Sequence, residues 1–147
     1  MFYELIGRLL AQASVALASD EVGVAVDERA QRERRQITAL LRRVAAIWPE
    51  LFSALHEECR ILEKTAGDVA EAAAAHGLSP AKPRSAPEVA EPLLRYRELQ
   101  CELDEWVILL RTHDGQAWAQ EALRTLREGL GDAAEVQGRL VDQMLAA

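Results

Sequence analysis

The chain has 147 residues and two cysteines, length enough for one ordinary domain to bury a core without a disulfide framework or a structural metal. Its formal net charge of −7 repels phosphate backbones and anionic bilayers, so neither nucleic acid nor a membrane is expected as a partner. Alanine (26) and leucine (21) supply about a third of the residues, threonine occurs four times and asparagine never, a composition that favours helix over strand. The expected fold is all-α: a single antiparallel helical bundle over residues 1–147, with four to five helices and an aliphatic core.

Residues 2–18 place Phe2, Leu5, Ile6, Leu9, Leu10 and Leu17 at helical intervals, which predicts a first helix with one buried stripe. The N-terminus lacks the basic start of a secretory signal, because Glu4 precedes the lone Arg8, and no apolar run is long enough to span a bilayer. The cytoplasm is the expected compartment, and Cys59 and Cys101 read as free thiols. After a short break around Gly23, Asp27 is placed to cap a second helix.

That second helix is predicted to be long, about 27–76. Ile37, Leu41, Val44, Trp48, Leu51, Leu55, Cys59, Leu62, Ala66, Val69 and Ala73 continue one seam in steps of three and four. Pro49 falls inside it, where a proline removes a backbone hydrogen bond and crowds the preceding turn at about 3 kcal/mol. The helix is therefore either kinked or broken there, and the unbroken phase of the seam favours a kink. Its end is marked by His76, Gly77 and Leu78, the pattern of a Schellman cap.

Residues 78–87, LSPAKPRSAP, hold three of the five prolines and read as an extended connection. Ser85 to Glu88 matches a capping box, but Pro92 moves the expected helix start to Glu91 or Pro92. Tyr96, Leu99, Leu103, Trp106 and Leu110 define the buried stripe of this third helix, and His113-Asp114-Gly115 stops it, with Asp114 available to cap the next. The last helix is expected to bury Trp118, Ala122, Leu126, Leu130, Ala133, Leu140 and Met144. Its glycines 129, 131 and 138 either weaken it or mark close helix contacts.

Three constellations bear on function. His56, Glu58 and Cys59 would face Cys101, Glu102 and Glu105 if the second and third helices were antiparallel, and such a face can build a metal site. The ligand arithmetic argues against it. No histidine has a glutamate three residues before it, as di-iron bundles require, and His56-x-x-Cys59 has no second close pair to complete a zinc site. The Glu-Glu-x-x-Glu row of helical nucleotide pyrophosphohydrolases is begun by Glu57 and Glu58 but meets Ile61 at its last position, so that activity is not carried over. No metal and no cofactor are expected, with Cys59 packed as a small core residue and Glu58 turned partly inward, toward an arginine.

Residues 29–43 hold six arginines against one glutamate, and Arg32, Arg35, Arg42 and Arg43 are the candidate interaction residues. Arg34 shares the seam row, and the others spread around the helix without forming one basic face. Trp48, Trp106 and Trp118 all fall on seam positions and are read as core. No glycine-rich phosphate loop, nucleophile elbow or Cys/His pair in a loop is present.

The function expected from this pattern is a non-enzymatic helical interaction, assembly or regulatory protein working through a long helical surface. It is expected to self-associate, because a helix over 27–76 would run about 75 Å, longer than one copy covers. A two-fold homodimer is the simplest form. The alternatives are a small metal- or nucleotide-dependent bundle enzyme with ligands at Glu58, Glu102 and Glu105, and a small-ligand sensor with a tryptophan-lined pocket.

Overall fold

The computed structural model describes residues 2–18, 28–79 and 91–146, and its elements are four α-helices: α1 (Phe2–Ala18), α2 (Glu28–Ala74), α3 (Pro92–Arg111) and α4 (Ala117–Ala146). The fold is an all-α helical bundle, with no strand among the described residues. Asp27, Gly23, the Ser85–Glu88 capping box and residues 80–87 of the extended connection lie outside the described residues.

α2 is one helix of 47 residues with Pro49 inside it. The proline does not end the helix, because apolar contacts hold the backbone on both sides: Val44, Ile47, Leu51 and Leu55 are all buried. Each such side chain contributes on the order of 2 kcal/mol on burial, which together offset the lost hydrogen bond. The seam is as expected from Val44 through Ala73 except at one place. Ile47, not Trp48, is the buried residue of that turn, and Trp48 stands 47% exposed. Both choices satisfy a three-four spacing, so periodicity cannot separate them.

The C-terminus of α2 closes as a Schellman motif. Leu78 N–H donates to the Ala73 carbonyl at 3.1 Å and Gly77 N–H to the Ala74 carbonyl at 3.0 Å, with Gly77 at φ 74°. α3 begins with Pro92 at its first turn after Glu91, whose side chain makes no cap hydrogen bond. The α3–α4 turn corrects one expectation. The first helical bonds of α4 run from Ala119 and Gln120 N–H to the Gln116 carbonyl, so Gln116 and not Asp114 flanks the helix start.

The described residues form two compact units. One contains α1, the first part of α2 to Leu51 and the end of α4 from Arg139. Its core is small, with Tyr3, Ile6 and Ala13 buried on α1, Val44, Ile47 and Leu51 on α2 and Leu140 on α4, and Gln143 Nε2 donates to Glu50 Oε2 at 2.8 Å. Leu5 lies outside this core, 53% exposed.

The other unit spans Phe52–Gly138 and holds the larger core. Here α3 buries Tyr96, Leu99, Leu103, Trp106 and Leu110, the stripe read from sequence. α4 buries Ala119, Ala122, Leu126, Ala133 and Val136, whereas Leu130 is 41% exposed and Trp118 half-buried. The contacts fix helix directions. Gln137 reaches Glu58 while Gly129 meets Thr65, so α4 is antiparallel to α2. Cys59 lies against Pro92 and Glu63 against Arg95 at the start of α3, whereas His76 and His113, at the other ends of α2 and α3, both meet Trp118. α2 and α3 therefore run in the same direction.

At Gly129 the backbones of α2 and α4 come very close. A methyl group added there would lie 2.0 Å from Thr65 Oγ1, 2.7 Å from its Cγ2 and 2.8 Å from its Cβ. Only glycine permits this approach. Gly131 and Gly138 face open space.

Candidate functional site

The most unusual chemistry in the larger unit is a buried polar knot joining three helices. Glu58 on α2 is fully buried, at 0% exposure. Its Oε2 accepts a hydrogen bond from Gln137 Nε2 on α4 at 2.7 Å, and the same amide nitrogen donates to the Tyr96 hydroxyl oxygen on α3 at 2.9 Å. The Tyr96 hydroxyl in turn donates a hydrogen bond to the Glu58 carboxylate, and a second amide, Gln100 Nε2, donates to its oxygen at 3.0 Å. Burial, reinforced by the Glu58 charge, pushes the Tyr96 hydroxyl up to about 12.

Beside this knot sits Cys59, buried on the same helix, its thiol donating a weak hydrogen bond to the Pro92 carbonyl at 3.8 Å. Burial and the nearby Glu63 and Glu58 carboxylates raise the thiol to about 11, which keeps it protonated and unreactive near neutral pH. Arg95 is engaged by Glu63 Oε1 at 2.9 Å and by Glu98 at 3.5 Å. A buried carboxylate held by an amide and a phenol, with no open face, is suited to fixing helix register rather than to meeting a substrate.

The six residues considered for metal are not brought together. Glu58 and Cys59 are buried, His56 and Cys101 exposed, and Glu102 and Glu105 half-buried. A facing arrangement needs α2 and α3 antiparallel. Because they run the same way, the stretch around Cys59 meets the Pro92 end of α3 instead of residues 101–105. Among the described residues no group of three or more His, Cys, Asp or Glu side chains converges as metal ligands would. Both cysteines are free thiols.

The tryptophans divide. Trp106 is wholly enclosed and its indole N–H has no hydrogen-bond partner among the described residues. Trp118 stacks on His76, with ring centroids 4.3 Å apart and planes 14° from parallel, while His113 tilts against it at 5.8 Å. Its indole N–H donates to Gln116 Oε1. This aromatic sandwich ties the end of α2 to the α3–α4 turn.

In the smaller unit, α2 carries an arginine face that the sequence reading missed. Arg34, Arg35, Thr38, Ala39 and Arg42 line one groove of about 340 Å³. The spacing i, i+1, i+4, i+5 and i+8 puts them on one side of the helix, opposite Ile37, Leu40 and Val44. Arg32 and Arg43 are exposed on its flank. Among the described residues Arg35, Arg42 and Arg43 have no ion-pair partner. The signal was present in the sequence, but assigning Arg34 to the seam hid it.

No family model, no curated protein and no solved structure matches this chain. No helix among the described residues is long and apolar enough to cross a membrane.

Proposed function

We propose that the protein is a non-enzymatic helical interaction module that associates with a second copy of itself through the arginine face of α2. The observation that carries this reading is the segregation of charge. Residues 29–43 carry +5, six arginines less one glutamate, so the rest of the chain carries −7 − 5 = −12. Arg35 and Arg42, without ion-pair partners among the described residues, present guanidinium forks to solvent along one groove. Two such faces repel each other, whereas one face against the acidic remainder of another copy is complementary. A reciprocal two-fold pairing satisfies both copies at once. Two free thiols in a chain without disulfides agree with a reducing compartment, and the cytoplasm is the proposed location.

The test is sedimentation equilibrium at tens of micromolar protein, in about 50 mM and about 500 mM salt, since such contacts are screened. A dimer mass at low salt that falls toward the monomer at high salt is expected, and R35E/R42E should be monomeric in both. These side chains are exposed, so helical circular dichroism should be unchanged. A monomer mass at low salt, or a dimer indifferent to both salt and R35E/R42E, overturns the proposal.

A further inference from the structure

A second surface, on the larger unit, has a different character. Between α3 and α4 lies a groove of about 670 Å³ whose lining includes Val107, Leu123, Leu126 and Leu130, with Arg111 and Arg127 also on its walls. The three leucines fall at i, i+3 and i+7 on α4 and form a continuous apolar floor about two turns long. Leu130 is 41% exposed although it occupies a position that periodicity assigns to the core, and Ile108, next to Val107, is 69% exposed. Neither arginine has an ion-pair partner among the described residues. Asp114 supplies the one negative charge in the lining, leaving it net positive.

Size decides the kind of occupant. At about 670 Å³, between two helices, the groove falls in the range of small-molecule sites. Charge and polarity decide its chemistry. Two guanidinium groups match an oxyanion head, and the leucine floor matches a hydrocarbon chain. We infer that the α3–α4 groove binds a free aliphatic carboxylate, its head on Arg111 and Arg127 and its chain along Leu123, Leu126 and Leu130. Asp114 opposes the head and weakens the complex. This surface is separate from the arginine face of α2 and stands or falls independently of self-association.

Calorimetric titration with decanoate, below the concentration at which it forms micelles, tests the inference. Saturable binding is expected, with a loss of about tenfold or more in R111Q/R127Q as the charge-assisted contacts go. D114N should tighten binding several-fold. Decanol, with the same chain and no charge, should bind at least about tenfold more weakly than decanoate. Vesicles containing phosphatidylglycerol separate a free acid from a lipid head group and should not bind. Absence of saturable decanoate binding, equal affinity for decanol, unchanged affinity in R111Q/R127Q with unaltered helicity, or vesicle binding each overturns the assignment.

Discussion

Replacing Gly129 by alanine is the sharpest test of the α2–α4 packing. By intrinsic propensity the change should stabilise an α-helix by up to about 1 kcal/mol. The added methyl group, however, would lie 2.0 Å from Thr65 Oγ1 and 2.8 Å from Thr65 Cβ. Rotating the Thr65 side chain relieves the first contact but not the second, because Cβ does not move with χ1. The helices must part, and overpacking of this kind costs about 1–3 kcal/mol, more where the backbone itself is displaced. A net destabilisation of about 2 kcal/mol is expected, lowering the melting temperature by roughly 4–8 °C for a chain of this size. Gly131→Ala, two residues away in open space, should instead stabilise by up to about 1 kcal/mol. Thr65→Ala should restore part of the loss in the double variant, because it removes Oγ1 and Cγ2 while leaving Cβ. Chemical denaturation of the four variants, with a double-mutant cycle, provides the measurement. If Gly129→Ala proves as stable as Gly131→Ala, the close approach is wrong.

The buried knot makes two further predictions. Glu58→Leu leaves the Gln137 amide and the Tyr96 hydroxyl without their carboxylate acceptor in a closed core, and should destabilise by about 1–3 kcal/mol in urea melts; no loss of stability would mean that the knot does not constrain the helices. Alkaline titration is the second. Tyr96 and Cys59 are neutral when protonated, and their folded values of about 12 and about 11 exceed the ordinary 10.0 and 9.0. The folded state thus binds more protons, so their contribution is complete below pH 9 and is lost as pH rises through 9 to 12. For Tyr96 the loss approaches about 3 kcal/mol. Tyr96→Phe should flatten the alkaline limb of a stability–pH curve, and an unchanged limb would count against the burial of this phenol.

The parts of the fold legible in the sequence are those set by neighbours along the chain. The α1 span, the stripe Tyr96–Leu99–Leu103–Trp106–Leu110, the proline at the start of α3 and the cap at His76-Gly77-Leu78 follow from helical period and terminal chemistry, which act within one or two turns. At Pro49 the unbroken phase of the seam favours passage of α2 but leaves a break open, and the structure shows one continuous helix there. At position 47 against 48 the local signal was degenerate, and only packing selected isoleucine for the interior.

The candidate sites were less legible. Glu58 was expected to turn inward and does, but its partner Gln137 is 79 residues away and carries no charge to betray the pairing. Nothing local says that α3 runs parallel to α2, because direction depends on where the connection delivers the chain and on which faces then interlock. That single choice separates Cys59 from Cys101 and Glu102 and places Gly129 against Thr65 through the return of α4. The sequence by itself determined the helices, the cap that ends α2 and most of the buried faces, since these arise from short-range periodicity and backbone hydrogen bonding. The tertiary structure alone decided which faces meet, because that depends on shape and on contacts far apart in the chain.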